Sequence, residues 1–141
     1  MIYRLTIKDW SGGLNELLNG VRYDYKAKRV VNYVKAGYEK KCCDAIRFFS
    51  GELRSHVLKG PVVIHYRIYA KDMRHDRMNM GAAIDKAFCD ALQKTGKIKN
   101  DGWNDILCAT FDYAIDREHP RVEIAIEEVT EEPPHWEGWG K

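Results

Sequence analysis

No stretch of this chain approaches the roughly 18 consecutive apolar residues that a membrane-spanning helix needs, so a helical membrane protein is excluded. The opening MIYRLTIKDW alternates as a strand does and has neither the apolar core nor the cleavage site of a secretory leader. A cytoplasmic location is expected. Cysteine is sparse and badly placed for a metal. Cys42, Cys43, Cys89 and Cys108 contain no C-x-x-C pair and have no paired histidines. Cys42 and Cys43 are neighbours, and neighbouring helical side chains point about 100° apart. Zinc is not expected, and the thiols read as reduced and structural. Internal repeats are missing too, which excludes solenoids and arrays.

What is present suits one soluble domain. At 141 residues, with 45% hydrophobic and 31% charged positions, the chain is long enough for a single core and too apolar for disorder. The formal net charge of +2 hides an uneven distribution. Residues 21–60 hold ten Lys or Arg against four acids, whereas residues 122–141 hold six Glu against Lys141 alone. A basic front half and an acidic tail suggest a polyanionic partner and a defined docking face. A solvated helix face would carry the same charges.

Residues 1–9 read as a strand, broken by WSGG. From about Tyr25 to Leu58 the spacing of Val30, Val31, Val34, Tyr38, Cys42, Ala45, Ile46 and Phe49 predicts a helix, with Gly37 and Gly51 as weak points. Gly60-Pro61 ends it. Val62 to Lys71, dense in β-branched and aromatic residues, is the clearest strand. A second helix is expected over 80–95, burying Ile84, Ala87, Phe88, Ala91 and Leu92 and ending before Gly96. Residues 105–116 and 120–129 read as an antiparallel hairpin around REHP. The order β-α-β-α-β-β predicts an α+β (α/β-like) domain over 1–130, with a mixed sheet and helices packed on it. Residues 131–141 form an acidic Pro- and Trp-containing tail, loosely packed unless Trp136 and Trp139 dock.

The stretch HDRMNMGAAIDKAFCDALQK, residues 75–94, gathers acids, an amide and a lysine where a strand hands over to a helix. Metal-assisted phosphodiester chemistry needs carboxylates on rigid element ends, because Mg²⁺ takes oxygen ligands and keeps several waters. Asp76 follows the central strand and Asp101 precedes the next one, so neighbouring strands would bring both acids to one sheet edge. A lysine nearby, such as Lys86, can neutralise charge on a scissile phosphate. Each residue also has a plainer reading. Asp76 suits a helix cap, Asp101 lies in an N-D-G turn, and Lys86 stands four residues before Asp90.

Together these residues resemble a known family. D-x-x-N (Asp76, Asn79), Lys86, D-A-L (Asp90–Leu92) and G-x-I-x-N-D-G-W-x-x-I (Gly96–Ile106) are similar in order and spacing to the RusA family of Holliday-junction resolvases. Leu14–Arg22, followed by the expected Lys-rich helix, resembles the phage branch of that family. The resemblance spans most of residues 1–128. It implies a homodimeric endodeoxyribonuclease that cuts four-way DNA junctions with Mg²⁺ or Mn²⁺, acting in a bacterial host cytoplasm if phage-encoded. It also implies Asp76 and Asp101 as catalytic metal ligands, Lys86 at the phosphate, and Asn79, Asp85 and Asp90 in support. Arg22, Lys26, Lys28, Arg29, Lys35, Lys40 and Lys41 then read as phosphate contacts. Tyr23, Tyr25 and Tyr33 would be candidates for stacking on unpaired bases. Met78 departs from the pattern: it stands where the family usually has a second aspartate, and a thioether is a poor ligand for a hard cation. Asp72, Asp85 and Asp105 are the nearby acids that could substitute for it. The alternatives are a weakened relative that binds branched DNA without cutting, and a phage interaction protein that docks through its tail.

Overall fold

The computed structural model describes residues 1–13, 18–102 and 104–129. Its core is a four-stranded mixed sheet of β1 (Ile2–Lys8), β4 (Val62–Ala70), β5 (Ile106–Ile115) and β6 (Arg121–Glu128). Two helices, α1 (Tyr33–Phe48) and α2 (Arg77–Lys94), pack against it, and β2 (Val21–Asp24) and β3 (Arg29–Asn32) form a separate two-stranded ribbon. This is a single α+β domain, about a third helix and a third strand. None of the described helices is long and apolar enough to cross a membrane.

Strand alternation sets the layers. Tyr3, Leu5 and Ile7 of β1, Val122, Ile124 and Ile126 of β6, and Val62, Ile64, Tyr66 and Ile68 of β4 all point to one buried face. Cys42, Ala45 and Ile46 of α1 and Ile84, Phe88 and Leu92 of α2 close that face into one core. Arg4, His65, Arg67, Glu123 and Glu127 lie on the other face. Burial of apolar side chains at about 25 cal/mol per Å² drives this arrangement, and it explains why β1, β4 and α2 were legible from period alone.

Two expectations need correction. The segment 25–58 is not one helix. Residues 21–32 form the β2–β3 ribbon, pairing Val21 with Asn32 and Asp24 with Arg29. α1 starts at Tyr33, where Asn32 caps it by accepting from Lys35 N at 2.9 Å. The reason is local: Asp24 Oδ1 accepts from the N–H groups of Lys26 (2.9 Å) and Ala27 (3.1 Å), building a turn that competes with helix. After Phe48 the chain makes a short 3-10 turn over Gly51–Ser55.

The second correction concerns β5 and β6, which do not pair with each other. The sheet order is β1-β6-β4-β5, so β4 lies between them, parallel to β5 and antiparallel to β6. A parallel β4–β5 pair needs a crossover, which α2 supplies. The short 116–120 link then crosses the end of β4 to deliver β6, with Arg121 bonded to Asp116 at 2.8 Å. β4 gains a partner on each side, as its apolar sequence favours. The tail 131–141, Leu14–Leu17 and Trp103 lie outside the described residues, as does any docking of Trp136 and Trp139.

Candidate functional site

The strand-to-helix junction begins where β4 ends at Ala70. Residues 71–75 bend, and Asp76 takes an extended conformation as N-cap of α2, its Oδ1 accepting from Asn79 N at 2.8 Å. Asn79 is buried, and Gly13 runs so close that a Cβ there would stand 3.1 Å from its side-chain nitrogen and 3.0 Å from His75 Nδ1. Asp72 is committed to its own loop: Oδ1 accepts from Arg74 N at 3.0 Å, and Oδ2 pairs with Arg74 Nε at 3.5 Å. A cavity of about 190 Å³ opens beside this bend, lined by Trp10, Lys71, Asp72, Arg74 and His75 among others. Tyr113 lies close enough to sense the junction. Burial raises its phenol's pKa, the Arg77 charge opposes this, and the Asp76 carboxylate adds to the rise. Met78 is 83% exposed on the first turn of α2.

Farther along α2 stand the other candidates. Lys86 Nζ lies 3.4 Å from Asp90 Oδ1, the i,i+4 pair anticipated as its plainer reading. Asp85 turns inward, its Oδ1 accepting from Tyr66 Oη at 2.8 Å and from Cys89 Sγ at 3.4 Å. Burial pushes the Tyr66 phenol well up, and the Cys89 thiol rises for the same reason, helped by Asp85 and then by the Asp101 charge. Asp101 therefore sits beside the later turns of α2, close to where β5 begins. The carbonyl of Gly102 accepts from Asp105 N and Ile106 N, and Val62 N donates to Asp105 O at 2.9 Å.

β4 and β5 are neighbours, as the two-acid reading required, but they run parallel. Asp76 follows the C-terminal end of β4, and Asp101 precedes the N-terminal end of β5. The 18 residues of α2, ~27 Å at 1.5 Å per residue, lie between Asp76 and the loop that carries Asp101. Lys86, ten residues beyond Asp76, is ~15 Å along the same axis. Asp85 and Lys86 thus stand at the middle of α2 and Asp90 one turn later, with the Asp101 charge felt at Cys89, while Asp76 and Asn79 stand at its start. Among the described residues, no group of three or more His, Cys, Asp or Glu side chains is placed to hold a metal ion.

The basic residues divide between two elements. Arg22, Lys26, Lys28 and Arg29 ride on the exposed β2–β3 ribbon, where the Arg22 guanidinium donates to the nearby backbone carbonyls of Asn19 and Val21, each at 2.7 Å. On α1, Lys35 is exposed, Lys40 pairs with Asp44 at 2.7 Å, and Lys41 Nζ donates to Asp9 O at 2.6 Å. Of the three tyrosines, Tyr33 donates its hydroxyl to Asp24 Oδ2 at 3.0 Å and braces the ribbon. The ribbon itself escaped sequence reasoning because its four-residue turn, YKAK, holds no Gly, Asn or Pro. The alternation of Val21, Tyr23, Val30 and Asn32 was the available signal. No protein-family model matches this chain, and no curated protein is similar to it in sequence.

Proposed function

We propose that this protein recognises branched DNA and cuts it as a structure-selective endodeoxyribonuclease of the Holliday-junction resolvase type. It would use Mg²⁺ or Mn²⁺ and act as a homodimer, since paired cuts on a two-fold junction call for paired sites. The observation that carries the reading is Asp76, the first acid of the D-x-x-N motif, standing as N-cap of α2 at the end of the central strand. A helix N-terminus favours phosphate, and a carboxylate beside it supplies the oxygen donor a hard cation takes. The basic ribbon adds a phosphate-binding surface.

Asp76 caps the first turn of α2, whereas the charge of Asp101 reaches Cys89 in its fourth turn, so the two acids are set apart along the helix. At the junction, Asp76 and water oxygens would be the donors available to one hard cation. The chain's own contribution is to fix Asp76 through the Asn79 N–H and to hold Asp85 inward through Tyr66.

A second reading, binding of branched DNA without cutting, draws support from that separation and from Met78. An interaction role for the acidic tail is the third. The deciding experiment incubates a synthetic four-way junction and a matched linear duplex with the protein, with Mg²⁺, Mn²⁺ or chelator. Symmetric cuts that require the metal and vanish in Asp76→Asn support the nuclease. Junction-selective binding without cuts supports the second reading, and no preference for the junction sinks both.

A further inference from the structure

The β2–β3 ribbon carries more cation and more bare aromatic surface than its own folding explains. Arg22, Lys26, Lys28 and Arg29 stand against one acid, Asp24, and that carboxylate is consumed by Lys26 N, Ala27 N and Tyr33 Oη. Its apolar residues are not buried in exchange: Val30 is 65% exposed, Tyr23 51% and Tyr25 84%. Tyr23 meets Tyr25 edge-on, with centroids 4.8 Å apart at 76°, which leaves Tyr25 at the tip. A two-stranded ribbon alone is marginal in water, so exposed rings cost stability without contributing to a core.

The turn gives an independent sign. Lys28 has φ of +53°, in the left-handed region that glycine or asparagine occupies more cheaply. Stability alone favours glycine there, whereas a lysine keeps a cation at the tip. Flat rings among four cations that outnumber their one acid, Asp24, suit a polyanion with exposed π-faces, meaning nucleic acid with unpaired bases, better than an acidic peptide.

We propose that this ribbon engages the branch point, with Tyr25 stacking on an unpaired base while Lys26, Lys28 and Arg29 hold the flanking phosphates. The inference rests on the branched-DNA reading above and names the element that does the reading.

The test uses the full chain in chelator, with a four-way junction carrying 2-aminopurine at the branch point and a matched linear duplex. Tyr25→Ala should weaken junction binding by about 5- to 150-fold, the range for one lost base stack, and abolish the change in 2-aminopurine fluorescence. Tyr25→Phe should restore both. Lys28→Gly should lower the slope of log affinity against log salt by about one, while its melting temperature rises, so a damaged fold cannot explain the loss. Wild-type junction affinity and fluorescence in Tyr25→Ala, or an unchanged salt slope in Lys28→Gly, overturns the proposal. Displacement of the junction by polyglutamate as readily as by single-stranded DNA also overturns it, marking a general anion surface. If the wild-type protein itself does not prefer the junction to the duplex, the proposed function falls as well. If it prefers the junction and Tyr25→Ala matches it, only the ribbon's role falls.

Discussion

At the scale of single residues, Asp76 holds two roles that substitution can separate. Its carboxylate caps α2 through the Asn79 N–H, and asparagine caps about as well as aspartate, whereas alanine loses about 1 kcal/mol. Asp76→Asn should therefore melt within a degree or two of the wild type and yet cut no junction, while Asp76→Ala loses both stability and cutting. Melting curves run beside the cleavage assay separate the two roles, and an Asp76→Asn protein that cuts normally removes Asp76 from the chemistry. Met78 offers the opposite experiment. The first turn of α2 contains no acid, and Met78 is exposed there. Met78→Asp should gain about 0.3–1 kcal/mol from the helix dipole. On the nuclease reading it should also raise metal-dependent cleavage. A gain in stability with no gain in cutting would leave Met78 as a surface residue.

At the scale of elements, two helical glycines with the same intrinsic cost should respond with opposite signs. Gly37 in α1 has open space around an added Cβ, so Gly37→Ala should stabilise by about 0.5–1 kcal/mol. Gly81 in α2 faces β5, where a Cβ would lie 2.6 Å from Tyr113 Oη and 3.1 Å from Phe111 Cδ1. Those rings are stacked in a row with Tyr66, so Gly81→Ala should destabilise by about 1–3 kcal/mol despite its better helix propensity. Chemical denaturation of both variants checks the pair. Such close approaches are invisible in sequence, which shows a glycine but not its neighbour. β1, β4 and α2 were legible because burial on one face imposes a period on the residues themselves. The ribbon was not, since nothing buries it and its turn relies on Asp24 instead of on glycine. The β5–β6 pairing failed for a different reason: adjacency in sequence suggested a hairpin, while α2 had already committed β5 to the far side of β4. The plainer roles of Asp76 as a cap and Lys86 as the partner of Asp90 were readable. The separation of Asp76 from Asp101 along α2 was not, because it depends on β4 and β5 running parallel.

At the scale of the whole molecule, one carboxylate ties three distant parts of the chain. Glu128 Oε2, at the end of β6, accepts from Lys59 N at 2.7 Å and lies 3.3 Å from His56 Nε2. Tyr3 of β1 also hydrogen-bonds to it and stacks on His56 with centroids 5.0 Å apart. Burial by itself would raise the Glu128 pKa, but the Lys59 N–H, His56 and Tyr3 outweigh it and hold the carboxyl below its ordinary value. The folded pKa is thus lower than the unfolded one. The stabilisation is fully present above the unfolded value of about 4.3 and is lost as pH falls through the folded value. Asp24, held down by the Ala27 N–H and then Tyr33, and Asp116, held down by the His119 N–H and then Arg121, act in the same direction. Stability should therefore fall below about pH 4.3 through several groups at once. Glu128→Gln should lower stability at neutral pH by about 1.5–3 kcal/mol, the range for hydrogen bonds to a charged group, and should make the acid limb shallower without flattening it. Urea titrations from pH 7 to pH 3 read both effects. An acid limb of unchanged slope in Glu128→Gln would mean that the join between β1, the 56–59 segment and β6 does not depend on this charge.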